Sequence, residues 1–332
     1  MTKNASALAV LAAALVPLVS AGPAGASPVR VWVSNVGVDN ASCGAVTAPC
    51  KGFQQAVSNV AAGGEVSVLT PGDFGQVSIG KAVSISNDGS GEAGISLSGG
   101  SLIGIAAGAG DVVSLRGLLL DGQASAALGV VFTTGSALHV QNCVIRNLEG
   151  AGGLLGNWGL VFFPSGSSKL FVEDSLIYNN GSVAASGGVF ISANNGGGAD
   201  AVLDRLRLEN NVIGLQVDNF GGAGGGGTHV ILRDSVLSGN ASHGIRGTAT
   251  SGSSSFLFVK NTASVNNAGT GIVADGSGSV HGTILLSNNT VSRNGTGVSA
   301  VNGGGLWSYG NNNIDNNVGA DINGALNPKT LN

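Results

Sequence analysis

A block of nine residues with a fixed order of apolar and polar positions recurs along the chain. V-E-D-S-L-I-Y-N-N at 172–180 returns as L-D-R-L-R-L-E-N-N (203–211) and L-R-D-S-V-L-S-G-N (232–240). It returns again as V-K-N-T-A-S-V-N-N (259–267) and L-S-N-N-T-V-S-R-N (286–294), with weaker copies from 115, 140 and 309. The first column reads Leu115, Val140, Val172, Leu203, Leu232, Val259, Leu286, Tyr309. Five positions on, the column is again apolar, from Leu120 and Ile145 to Val291 and Ile314, broken by Ser264. Eight positions on stand Asn180, Asn211, Asn240, Asn267, Asn294 and Asn317. A glycine followed by an apolar residue trails each copy, as in Gly188-Val189, Gly214-Leu215 and Gly244-Ile245.

Two inward apolar columns separated by a polar turn predict short β segments that cannot bury a face alone. Stacked, each segment pairs with its equivalent in the next copy, ~4.8 Å away. That is an all-β fold, a single-stranded parallel β-helix of roughly ten coils. The asparagine column is expected to pass hydrogen bonds from one side-chain amide to the next. Asparagine also tolerates the left-handed backbone of a sharp corner, and the glycines fit where a Cβ would clash. Unequal intervals between copies place insertions in the turns.

Composition narrows the class. Of 332 residues, 58 are glycine and only 10% are charged, which excludes a coiled coil or helical bundle. Glycine has no three-residue period, so collagen is excluded. The net charge of −4 leaves no basic surface for nucleic acid. Lys3, the apolar run Ala5–Val19 and the small residues up to Ala26 read as a secretory signal peptide over 1–26. The mature chain is expected in the periplasm or the medium, with no membrane association after cleavage. Cys43 and Cys50, in a short loop of an exported protein, are expected to form a disulfide. Cys143 falls within a repeat and reads as a buried small hydrophobe. The expected organisation is a cap at 27–64, a solenoid at 65–326 and a tail at 327–332.

With V-W-V-S-N-V-G-V-D-N-A-S-C, A-P-C-K-G-F-Q-Q-A-V and the repeats that follow, the chain resembles secreted bacterial right-handed parallel β-helix proteins of the pectate-lyase-like fold. The resemblance spans nearly the whole mature chain. It implies right-handed coiling, as general crossover preference also does. It implies too that residues 52–62 form a short helix over the open end of the solenoid. The residues agree: Phe53, Ala56, Val57 and Val60 share one helical face, before Gly63-Gly64.

Relatives of this fold degrade acidic polysaccharides, but fold alone does not transfer activity. No Asp-Asp pair, W-x-D-H, R-x-P-x-x-R, G-R-P-W or D-P-H-D segment occurs. The glycine runs at 196–198 and 221–227 are poor copies of a calcium-binding nonapeptide and read as turns. Calcium therefore stays open without a motif for it, and no cofactor or metal centre is expected. Charges concentrate after the first column. Glu173 is expected to stack on Asp204, beside Arg233, Asp174 and Arg205. Close carboxylates can divide acid and nucleophile roles, and arginines can neutralise uronates. The plainer expectation is a solenoid face of alternating ion pairs. Trp158 and Tyr178 are the aromatic candidates for a sugar platform, against packing of Trp158 under its own loop. These readings give an exported, non-catalytic protein contacting polysaccharide or a cell-surface glycan. A divergent lyase or glycoside hydrolase acting through Glu173, Asp204 and Arg233 is the alternative, and a structural or adhesive surface protein is the third. The oligomeric state is not legible.

Overall fold

The computed structural model describes residues 27–151, 156–219, 226–249, 255–277 and 280–330. The signal-like segment and most of the glycine run at 221–227 lie outside them. The chain winds as a right-handed parallel β-helix. Each coil contributes one strand to each of three parallel sheets. One coil illustrates the path: Ser168–Glu173 lies in the first sheet, Leu176–Tyr178 in the second and Gly187–Ala193 in the third. The next coil re-enters the first sheet at Gly198–Asp204. Among the described residues the second and third sheets each hold ten strands.

The repeat columns become pairing registers. Leu115, Val140, Val172, Leu203, Leu232, Val259 and Leu286 stack in unbroken succession. The same column reaches back through Ile85 and Val66 to Val31. All are buried. The second column runs in register from Leu120 to Ile314 as expected. In the last coil the assignment slips. Leu286 pairs with Ser308, not Tyr309, because this coil carries one extra residue before the second sheet. The Tyr309 ring packs edge-on to Phe258 instead, 6.5 Å between centroids.

The asparagine ladder is present. The Nδ2 of Asn240 donates to Oδ1 of Asn267 at 2.8 Å, Asn267 to Asn294 at 2.8 Å, and Asn294 to Asn317 at 3.1 Å. Asp321 accepts from Asn317 at 2.9 Å and closes the series. Each ladder amide also donates to a main-chain carbonyl of the preceding coil, as Asn240 does to Leu208 at 3.2 Å. The glycine column follows from this ladder. A Cβ on Gly244 would stand 2.6 Å from the carbonyl oxygen of Gly271 and 2.8 Å from Nδ2 of Asn267. Gly244 has no left-handed backbone, so its lack of a side chain is a matter of room. The left-handed positions lie instead two and seven places after the first column. They include Asn142, Asp174 and Arg205 at one turn, and Asn147, Asn179 and Asn210 at the other.

The N-terminal end is covered by the helix Phe53–Asn59, with Phe53, Ala56 and Val57 buried. It ends earlier than the sequence pattern suggests, because Val60 turns extended and points its buried side chain into the core. Cys43 and Cys50 are disulfide-bonded, Cα atoms 4.9 Å apart. This loop lies along the strand Arg30–Val33: Trp32 donates to Gly44, and Cys50 donates back to Trp32. It thereby occupies an edge that would otherwise invite foreign strands. Cys143 is fully buried, and burial pushes its thiol up to about 11, so it is inert at neutral pH. Among the described residues no helix is long and apolar enough to cross a membrane.

Candidate functional site

Side chains alternate across a strand, so the first sheet presents every second residue outward. In Ser168–Glu173 the outward residues are Lys169, Phe171 and Glu173. The register carries each into a column. The first outward column is Lys169, Asp200, His229, Phe256, Thr283. The central column is His139, Phe171, Val202, Ile231, Phe258, Leu285, Trp307. The third is Glu173, Asp204, Arg233, Lys260. At ~4.8 Å per coil the central column covers roughly 29 Å. The rings of His139 and Phe171 stack at 4.7 Å. Ile231 is 43% exposed, Trp307 38% and Phe256 37%. Between the first and central columns runs a groove of about 450 Å³, walled by Phe171, Val202, Ile231 and Phe256. A smaller hollow of about 180 Å³ continues it past Leu285 to Trp307 and Lys329.

The charged column borders this stripe. Glu173 and Asp204 stand in register, one coil apart. Their environments differ. Glu173 is half exposed, whereas the Asp204 side chain is only 3% exposed. Arg205 and Arg233 both bond its Oδ2, Arg233 at 3.1 Å. Its Oδ1 is buried without a hydrogen-bond partner. Arg205 also grips Asp174 with two bonds, at 2.6 and 2.8 Å. The alternating ladder stops there: Asp234 accepts from the amide of Asn261 instead of pairing with Arg205. The Glu173, Asp174 and Asp204 carboxylates thus already surround a guanidinium, which is a poor fit to a calcium site built of oxygen ligands.

Three carboxyls on the solenoid surface share a direction of shift. Hydrogen bonding by Ser86 holds Glu65 low, and Arg205 holds Asp174 low. Burial works against ionisation of Asp121, but Gln123, Asn147 and Arg146 more than offset it. A depressed folded-state pKa adds stability above the unfolded value that is lost as pH falls through the folded one. The melting temperature is therefore expected to hold from neutrality to about pH 5 and to fall below about pH 4. A melting series that stays flat to pH 2 would refute this.

The other sequence candidates lie elsewhere. Tyr178 is on the second sheet, where its hydroxyl accepts from Arg146 at 2.9 Å; Arg146 in turn bonds Asp121. Trp158 is 1% exposed, so the expected sugar platform is corrected: the ring packs with Val161, Phe190 and Ile213 in a small apolar cluster. The large ring lowers free energy by burial where a partly covered surface of the third sheet receives it. The outward Phe171, Phe256, Phe258 and Trp307 were missed as a set. Their signal is positional: they occupy the out-facing places of strands whose in-facing places are already apolar. His229, which with His139 and His281 forms no ligand cluster in the sequence, has its Nδ1 3.2 Å from Asp200. Among the described residues the one metal-like group is Asp39 with Cys43 and Cys50. There the sulfurs are bonded to each other, and Asp39 accepts the N–H groups of Lys51 and Gly52.

Stacked coils, inward apolar columns and an asparagine ladder define a right-handed parallel β-helix. Residues 128–318 match the family described as right handed beta helix region, and the chain belongs to that family. Solved structures with the same fold include an alginate lyase from Paenibacillus sp. str. FPU-7, at 17% identity and TM-score 0.59, covering 89% of this chain and 99% of that one. Pectate lyase Pel9A matches at 16% identity and TM-score 0.60, covering 92% of this chain and 78% of that one. At such identities the likeness is one of fold. No curated protein matches the sequence.

Proposed function

We propose that the protein is an exported polysaccharide-binding solenoid, with a glycan lying along the outer face of the first sheet and not cleaved there. The observation that carries this reading is the uninterrupted outward column from His139 to Trp307. An exposed apolar stripe rimmed by polar residues marks an interaction surface, and its rings offer flat partners for sugar faces. The two similar folds named above are an alginate lyase and a pectate lyase, which supports a polysaccharide as the ligand class. Export rests on the N-terminal basic and apolar pattern, and a disulfide suits an oxidising compartment. The double guanidinium grip on Asp204 supports binding over chemistry, because both arginines occupy the same carboxylate oxygen of a nearly buried side chain.

Replacing Phe258 or Trp307 with alanine is expected to weaken binding about tenfold each, as central aromatic contacts do. Affinity electrophoresis against acidic and neutral polysaccharides reads this, with melting temperature as the control. Unchanged mobility of both variants in every polymer that retards the parent would refute the placement. A second reading, a divergent lyase or hydrolase, is favoured by one feature: the unpartnered Oδ1 of Asp204 beside Glu173. It requires unsaturated uronate or new reducing ends from the intact protein, lost on Glu173→Gln and Asp204→Asn.

A further inference from the structure

We propose that the groove on the first sheet selects polysaccharides carrying O-acetyl groups over the same chains with free hydroxyls. This rests on the polysaccharide-binding reading above and names the ligand more closely. The middle of the central column is the reason. Rings stand at Phe171 and Phe258, but the two coils between them present Val202 and Ile231. Aliphatic side chains offer a sugar no ring to stack on and no hydrogen bond. The sheet's own N–H and C=O groups are spent on the ladder between coils. A sugar hydroxyl pressed onto Val202 and Ile231 therefore gives up water without replacement, which is costly.

An acetyl ester has the opposite needs. Its methyl gains from leaving water, and its carbonyl oxygen only accepts and needs a single donor. Both requirements are met here. The groove wall of Phe171, Val202, Ile231 and Phe256 receives the methyl. The donor stands on one rim. Lys169 is exposed, and its ammonium makes no ion pair among the described residues. His229 shares that rim two coils on, its Nδ1 3.2 Å from Asp200. Lys169, Asp200 and His229 occupy successive coils of one column, alongside the aliphatic pair. Rings at either end hold the backbone sugars, and the aliphatic centre receives the substituent.

The test titrates the intact protein with O-acetylated xylan and O-acetylated glucomannan, and with each polymer after alkaline removal of its acetyl groups. Deacetylation is expected to weaken binding at least about tenfold, the discrimination a small apolar group gives in an apolar pocket. Ile231→Ser, at an exposed position, is expected to bring the ratio between the two forms of each polymer toward one. Equal affinity of the parent for both forms would overturn the acetyl inference while leaving polysaccharide binding in place. A parent that binds none of the four polymers but is retarded by another polysaccharide overturns it alone, and a parent that binds no polysaccharide overturns it together with the reading it rests on.

Discussion

Asn240→Leu is expected to lower the unfolding free energy by about 3 kcal/mol, although leucine nearly matches asparagine in shape. The side chain is fully buried. Its Oδ1 accepts the N–H of Asn211 at 3.0 Å, and its Nδ2 donates to the Leu208 carbonyl at 3.2 Å. Leucine leaves the Asn211 N–H buried without a partner, at about 1–3 kcal/mol, and takes a second bond from the Leu208 carbonyl, which keeps its place in the pairing between coils, at about 1 kcal/mol. The Nδ2 bond to Asn267 is also lost, but Asn267 Oδ1 keeps the N–H of residue 240, which bonds it at 3.0 Å. The same change at Asn317 should cost less, because that side chain is partly exposed at the end of the ladder. Urea unfolding of the two variants checks both statements. A loss at Asn240 under about 1 kcal/mol would mean that neighbouring groups or water replace the ladder bonds.

This ladder was legible in the sequence because its residues sit at a fixed offset in six copies, and so were the two inward columns. What is legible is what repeats. The turn beside the first column shows the limit. Ser175, Ser235, Asn289 and Asn312 form a second line of side chains accepting main-chain N–H groups from the preceding coil, with Thr262 in the same line donating its hydroxyl to Lys260. The interruption at Leu206 and the change of residue type hide it. The outward stripe escaped for another reason. In S-K-L-F-V-E and S-F-L-F-V-K, apolar residues fill both phases of the strand, so alternation does not tell Phe171 or Phe258 from a core residue. Only the pairing register separates the phases. Glu173 and Asp204 were correctly placed side by side. Their unequal burial could not be read, since it depends on Arg205 holding a left-handed turn that brings its guanidinium over Asp204. Trp158 misled because a large aromatic beside a glycine-rich insertion reads equally as a platform or as packing.

Phe162→Ala is expected to cost about 3–5 kcal/mol, the range for emptying a buried aromatic site. Phe162 has no exposed surface and lies on the inner side of the third sheet, in register with Phe132 and Ile191. Its ring stacks on that of Phe132 with centroids 4.7 Å apart. The double variant with Phe132→Ala should cost less than the sum of the singles by about 0.5–1.5 kcal/mol, because the ring pair is lost only once. Stacked coils cannot close the gap easily, since main-chain pairing fixes their spacing at ~4.8 Å. Phe162 belongs to the core and not to the outer face of the first sheet. Well below its melting point the variant should bind polysaccharide with the parent's affinity. Phe258→Ala and Trp307→Ala should do the reverse, losing affinity with little change in melting temperature. If Phe162→Ala at low temperature lost binding as Trp307→Ala does, the ligand would depend on the solenoid's interior rigidity, and the outer stripe would no longer account for recognition.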